Sequence, residues 1–409
     1  MSGAPLPSSA APAVPVRILV FIHSLHGGGA ERVAAELSSW WAQAGRHVTL
    51  VTQEAADSDA YPLDPAVERV VLDTAGASGG GLAGLLANLR RLRALRACLK
   101  RARPDVVLGM MTTASVLAVL AATGLPCRVI ATEHTHPPSQ QLGAMWLRLR
   151  RWAYPRAARV VALTRGTAQW LAEHVPGSRL AVIPNPVHWP LREAGPALAP
   201  PPREAGPLLL AVGRLHPDKG FDVLLRAYAQ LAPAHPDWRL AILGEGGERA
   251  ALQAQAEALG IADRVDMPGR AGNVGDWYAR ADLYVLSSRV EGLSNTLLES
   301  LASGVAAVAF DCETGPREIV RDGEDGVLVR PVQDPAALAQ ALSRLMSDPQ
   351  ARARMAARAV DVRERFAPGR ILARWQAVFD EALAGGTPDG DSAQDGGPDN
   401  GHSKNSHPG

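Results

Sequence analysis

The sequence predicts an α/β protein of two doubly wound, Rossmann-like domains that face each other across a cleft. Three observations carry this expectation. Short buried strands alternate with helices along most of the chain. The alternation lapses in a Pro/Ala/Gly-rich stretch at 189–207 and then restarts. The length of 409 residues with 47% apolar side chains suits two cores better than one. In parallel sheets of this kind ligands bind where loops leave the C-terminal ends of the strands.

Residues 1–15 are rich in Ala, Pro and Ser and read as a disordered N-terminus, with neither the basic start nor the apolar run of a signal peptide. The first domain is expected over 16–188. It opens with the strand Arg17-Ile18-Leu19-Val20-Phe21-Ile22, a turn at Gly27-Gly28-Gly29, a helix from Ala30 to about Ala44 and a strand at 48–52. Ala30-Glu31-Arg32 follows the glycines, so the G-x-G-x-x-G spacing fails and a nicotinamide dehydrogenase is disfavoured. Gly28 and Gly29 either let a ligand approach the backbone or simply make a tight turn.

A helix at 82–103 places Leu85, Leu86, Leu89, Leu92, Leu95 and Leu99 on one face and Arg90, Arg91, Arg93, Arg96 and Lys100 on the other. Such a helix suits an anionic membrane surface or is an ordinary solvated face. Strands follow at 104–108, 128–132, 159–163 and 180–183. Glu133-His134-Thr135-His136 leaves the C-terminal end of the strand at 128–132, a position suited to chemistry.

After the linker at 189–207, the second domain is expected over 208–366, with strands at 208–212, 239–243, 265–267, 282–286, 305–310 and 326–329. Helices are expected at 221–231 and 248–259, and two more over 335–366. A last helix within 367–384 should pack back on the first domain, and 385–409 reads as a disordered tail. No internal repeat is visible.

The net charge of +1 gives no general attraction for nucleic acid. Cys98, Cys127 and Cys312 are odd in number and far apart, which fits neither a disulfide framework nor a zinc site. No apolar run is long enough to span a bilayer. The expectation is a cytoplasmic protein, with peripheral attachment to the inner face of the membrane if the basic helix is used.

The second domain is organised around Ser287-Ser288-Arg289-Val290-Glu291-Gly292-Leu293-Ser294-Asn295-Thr296-Leu297-Leu298-Glu299. Glu291 lies in the loop leaving a strand, and Glu299 is expected in the first turn of a short helix that ends at Gly304. The helix N-terminus offers unpaired N–H groups to an anion such as a diphosphate, leaving the carboxylates to hold hydroxyls. A capping box between Thr296 and Glu299 is the competing local reading.

Several motifs then belong together. They are Gly27-Gly28-Gly29-Ala30-Glu31-Arg32, Pro184-Asn185-Pro186, Gly213-Arg214-Leu215-His216-Pro217-Asp218-Lys219-Gly220, Glu291-x7-Glu299 and Thr314-Gly315-Pro316-Arg317-Glu318. In this order, the set resembles glycosyltransferase family 4, the retaining, nucleotide-sugar-dependent enzymes of the GT-B fold, over about residues 16 to 383. The resemblance implies that Arg214 and Lys219 bind the donor diphosphate, as a guanidinium fork and a point charge can. It implies that Glu299 holds the ribose, Glu291 the transferred sugar, and the backbone of Ser294, Asn295 and Thr296 the distal phosphate. His134 matches a residue that reaches the reacting sugar, Gly28 and Gly29 a loop under the donor phosphates, and Arg270 lies near the place of the base. One departure is Leu293-Ser294-Asn295, where many relatives have Phe or Tyr and then Pro.

The implied reaction uses a UDP- or GDP-sugar and no metal or other cofactor. The Thr314–Glu318 motif resembles members that transfer hexoses or N-acetylhexosamines to glycan or polyprenyl-linked acceptors in bacterial surface-polysaccharide, lipopolysaccharide or glycolipid assembly. A nucleotide-sugar 2-epimerase of the same fold and a non-catalytic sugar-nucleotide-binding protein are the alternatives.

Overall fold

The computed structural model describes residues 16–74 and 82–385. The expectations for residues 1–15 and for the tail beyond Gly385 lie outside these. The first domain runs β1 (Arg17–Ile22), α1 (Gly29–Gln43), β2 (His47–Thr52), β3 (Glu68–Val71), α2 (Leu82–Ala102), β4 (Val106–Gly109), α3 (Thr112–Ala122), β5 (Arg128–Glu133), α4 (Ala144–Ala153), β6 (Arg159–Ala162), α5 (Arg165–His174) and β7 (Leu180–Val182). The second runs β8 (Leu208–Val212), α6 (Phe221–Leu231), β9 (Arg239–Leu243), α7 (Arg249–Ala258), β10 (Val265–Gly269), α8 (Val274–Arg280), β11 (Leu283–Leu286), α9 (Asn295–Ala302), β12 (Ala307–Phe310), α10 (Pro316–Ile319) and β13 (Gly326–Val329). Four helices close the described chain: α11 (Pro335–Ser347), α12 (Pro349–Ala359), α13 (Val362–Arg365) and α14 (Pro368–Ala384).

Both predicted sheets form. The first has strand order β3-β2-β1-β4-β5-β6-β7 and the second β10-β9-β8-β11-β12-β13. All paired strands are parallel. Helices cover both faces, so the central strands are apolar throughout; every residue of β4, β11 and β12 is buried. The order reverses between β1 and β4 and between β8 and β11. The loops after those strands therefore open a crevice in each domain.

Three expectations need correction. Over 335–366 the chain forms α11, α12 and α13 rather than two helices. The extra break falls after Ala359, where the i→i+3 bonds Asp361 N to Arg358 O (3.2 Å) and Arg363 N to Val360 O (3.0 Å) tighten the chain and set the four-residue α13 apart from α12. In α9, Ser294 is the N-cap and accepts from Leu297 N at 3.4 Å. Glu299 therefore falls in the second turn, and the Thr296–Glu299 capping box does not form. Gly304, at φ +72°, ends the helical segment in the left-handed conformation open to glycine.

The third correction concerns α2. Arg91 points inward: it is buried, its Nε donates to Thr74 O at 3.1 Å and its Nη1 to Asn88 Oδ1 at 3.0 Å. Arg96 Nη1 donates to the carbonyls of Ala121 and Thr123 at 2.7 and 2.8 Å, satisfying the C-terminal end of α3. Neither guanidinium is free for a membrane. Conversely, Leu85, Leu86 and Leu89 are 51%, 58% and 36% exposed, so the N-terminal half of the apolar stripe is not core.

The last helix crosses back. Ile371, Trp375, Val378 and Phe379 of α14 join the first-domain core with Ile18, Trp40 and Trp41. Trp41 packs edge-on against Trp375, with ring centroids 5.9 Å apart, and lies 5.1 Å from Phe379.

Candidate functional site

Gly220 shapes the loop after β8. Its φ of +62° is left-handed, and a Cβ there would lie 2.2 Å from Ser287 O. Ser287 Oγ donates to Lys219 O at 2.8 Å, and Arg289 N to Asp218 O at 2.8 Å. The loop carrying Lys219 is thereby stapled to the loop carrying Glu291. Lys219 Nζ meets Glu291 Oε1 at 2.6 Å, and Ser288 Oγ donates to the same oxygen at 2.7 Å. The Glu291 side chain is 7% exposed, so the ammonium compensates a largely desolvated carboxylate. Thr314 Oγ1 donates to Glu291 O at 2.7 Å and fixes the loop from behind. Arg214 is exposed, and its guanidinium has no partner among the described residues.

The first domain approaches from the other side. A Cβ on Gly292 would stand 2.0 Å from His134 O, and one on Gly29 would stand 3.1 Å from Asn295 Nδ2. Asn185 Nδ2 donates to Asn295 Oδ1 at 2.9 Å, and Arg32 Nη1 reaches Glu299 Oε1 at 2.5 Å. Glu318 Oε1 accepts from Arg165 N at 2.7 Å, at the start of α5.

Between the domains lies a cavity of about 290 Å³ lined by Gly27, Gly28, Gly29, His134, Arg214, Lys219, Glu291, Ser294, Asn295 and Thr296, among others. The N–H groups of Asn295 and Thr296 have no acceptor among the described residues and are available to an anion. Two predicted residues stand outside this lining. Glu299 sits behind it in α9, and Arg270 is exposed, with Nη1 3.6 Å from where a Gly27 Cβ would be.

His134 follows β5, whose last residue is a buried carboxyl. Glu133 accepts from Tyr154 Oη at 2.5 Å, Thr112 Oγ1 at 2.8 Å and Gln140 Nε2 at 2.9 Å, and burial raises its pKa. Both ring nitrogens of His134 are buried without a partner. Burial lowers its pKa from 6.5 to about 4, so the imidazole is neutral at pH 7. His188, whose ring lies 4.8 Å from that of Trp40 and tilted 54° to it, is likewise lowered to about 4, chiefly by burial.

These shifts set a pH dependence. Above about pH 6.5 both rings are neutral in either state and neither affects stability. As pH falls from 6.5 towards 4, the unfolded chain takes up protons that the folded chain refuses. Stability should therefore drop across that window, by roughly 3 kcal/mol or less per ring, and level off below pH 4. Urea unfolding at a series of pH values measures it, and His188→Gln should shrink the loss in that window alone.

Arg32, Asn185 and Tyr278 also shape the site, although none was singled out for a role from the sequence. Arg32 had one usable signal, since it lies one helical turn beyond Gly28 on the helix that leaves the glycine loop.

The fold is that of the GT-B glycosyltransferases. The Glycosyltransferase Family 4 model matches residues 27–188, and the Glycosyl transferases group 1 model matches residues 199–361. The chain belongs to glycosyltransferase family 4. It is 37% identical over 280 residues to an exopolysaccharide phosphotransferase of Streptomyces coelicolor, a match covering 67% of this chain but only 29% of that protein. It is 27% identical over 372 residues to the GalNAc-alpha-(1->4)-GalNAc-alpha-(1->3)-diNAcBac-PP-undecaprenol alpha-1,4-N-acetyl-D-galactosaminyltransferase of Campylobacter jejuni, covering 90% of this chain and 99% of that one. The crystal structure of Anabaena HepE with UDP and glucose superposes with a TM-score of 0.70 at 19% identity, over 90% of this chain and 100% of the other.

Proposed function

We propose that this chain transfers a hexose or N-acetylhexosamine from a UDP- or GDP-sugar to a hydroxyl of a glycan or lipid-linked acceptor, with retained configuration and without a metal. The work it serves is the assembly of a bacterial surface polysaccharide or glycolipid. The observation that carries this reading is the shared cavity, in which Arg214, Lys219 and the N-terminus of α9 face Gly27–Gly29 and His134. The Campylobacter relative, with its undecaprenyl-linked acceptor, and the UDP and glucose of the Anabaena structure support the substrate class.

In this reading the anomeric C–O bond breaks and negative charge develops on the departing diphosphate. Lys219, Arg214 and the free N–H groups of Asn295 and Thr296 stabilise that charge. Glu291 holds sugar hydroxyls, and neutral His134 bonds the sugar or its phosphate. The acceptor oxygen attacks from the same face, and its proton passes to an oxygen of the leaving phosphate. Glu299 holds the ribose, and Arg270 contacts the base.

A screen of UDP- and GDP-sugars by thermal shift identifies the donor, since ligand at 100 times its dissociation constant adds about 2.7 kcal/mol. Release of nucleoside diphosphate should then depend on added acceptor. Conversion to an epimeric sugar nucleotide without acceptor would replace this reading by a 2-epimerase.

We further infer that the first domain rests on anionic lipid. No helix among the described residues is long and apolar enough to cross a membrane. However, Leu85, Leu86 and Leu89 on α2 and Met145, Leu147 and Trp152 on α4 are exposed. Both helices pack on α3, and Arg90, Arg93, Lys100, Arg148 and Arg151 are exposed on the same two helices. This combination of apolar wedge and cations suits an anionic interface. The protein should sediment with anionic vesicles at low salt, and a Leu85→Ser/Leu86→Ser/Leu89→Ser variant should not. Absence of wild-type sedimentation rejects the inference.

A further inference from the structure

We infer that Arg32 is a positioning residue for the nucleotide: carried by the first domain, it completes the ribose-holding carboxylate of the second only when the two are closed. The inference rests on the assignment of Glu299 to the ribose.

Glu299 is 8% exposed and stands in the second turn of α9. Its Oε2 accepts from Tyr278 Oη at 3.3 Å, a long hydrogen bond from an uncharged donor that brings no compensating charge. Its Oε1 meets Arg32 Nη1 at 2.5 Å. Among the described residues Arg32 is the only cation within 4.0 Å of this carboxylate, and it comes from the opposite domain. A buried carboxylate without its cation is strongly unfavourable, so the second domain alone cannot keep Glu299 both charged and dry. Parting the domains must return it to water.

The guanidinium is set in place by its own surroundings. Arg32 sits on α1, directly after the glycine loop that lines the cavity. Glu36, one turn on, attracts it electrostatically, and Arg192 of the linker acts on Glu36 in the same way. On the cavity side Gly29 brings the start of α1 close to Asn295 at the start of α9, and the Asn185–Asn295 hydrogen bond ties α9 to the segment after β7 of the first domain. A carboxylate offers about four acceptor sites, and two are used. The other two remain for vicinal hydroxyl donors, so Arg32 and a ribose can share Glu299 without competing. Ribose binding and closure would then stabilise one another, which is coupling in the thermodynamic sense.

The test titrates UDP, GDP and their 2′-deoxy forms into the wild type, Arg32→Gln, Arg32→Lys, Glu299→Gln and the Arg32→Gln/Glu299→Gln double variant, with melting curves to confirm folding. Arg32→Gln and Glu299→Gln should each weaken the bound nucleotide by about tenfold or more, as loss of one charge-assisted partner does. Arg32→Lys should restore part of the loss. The double variant should be no weaker than Glu299→Gln alone, because both changes break one unit. Discrimination against the 2′-deoxy form should shrink in Arg32→Gln, an effect that a purely structural role does not produce. Additive losses, or unchanged affinity in Arg32→Gln beside a weakened Glu299→Gln, overturn the inference. Unchanged affinity in Glu299→Gln instead removes the ribose assignment on which it stands.

Discussion

Lys219→Ala is expected to lower kcat by on the order of 10²-fold or more, equivalent to about 2.7 kcal/mol of lost transition-state stabilisation. Two effects act in the same direction. The ammonium that would face the developing diphosphate charge is gone. Glu291, only 7% exposed, is also left with Ser288 as its one side-chain hydrogen-bond donor among the described residues, and its uncompensated charge then repels the leaving group. Lys219→Arg should not rescue fully, because the lysine stem runs along Gly213, with Cγ and Cδ 3.4 Å from where a Cβ would be. A forked, planar head cannot replace a point charge in that slot without displacement. Initial rates at saturating donor and acceptor measure the effect, and a kcat within about threefold of the wild type would falsify the role given to Lys219.

Gly292→Ala should cost a comparable factor for a different reason. The added methyl would lie 2.0 Å from His134 O, a backbone atom of the opposite domain. Neither loop can yield locally, since Thr314 anchors one and the buried Glu133 network anchors the other. The domains must separate instead. A misplacement of about 1 Å at a reacting centre can cost on the order of 10²-fold in rate. The melting temperature should stay near that of the wild type, because Gly292 supports neither core and has no left-handed φ to lose. Small-angle scattering with nucleotide bound should show the variant more extended. A normal rate would mean that closure is not required.

The residues readable from sequence were those whose placement is set locally. Lys219 and Glu291 lie in loops that directly follow apolar strands, and Ser294–Thr296 open the helix after one, so strand recognition alone placed them at a sheet edge. Arg32 could not be found in that way. Its partner is Glu299, and no spacing rule reveals that α1 of one domain meets α9 of the other. The capping ambiguity at α9 had a similar origin: Ser294 and Thr296 are both capping residues, and only the backbone decides between them.

Among the elements, α3 escaped notice because nine of its eleven residues are buried, which leaves no 3.6-residue stripe. β3 is a short edge strand of mixed burial. The α2 stripe misled in the opposite sense. Its periodicity was genuine, but Leu85, Leu86 and Leu89 join no core cluster among the described residues and remain exposed.

The return of α14 has a consequence for biogenesis. The last strand of the first domain ends at Val182, but the helix that covers Trp41 begins only at Pro368. At about 5–20 residues per second, a ribosome needs roughly ten to forty seconds to make what lies between. For that interval the nascent first domain holds an aromatic face that its own residues do not seal. It becomes a finished body only when the whole second domain has been synthesised.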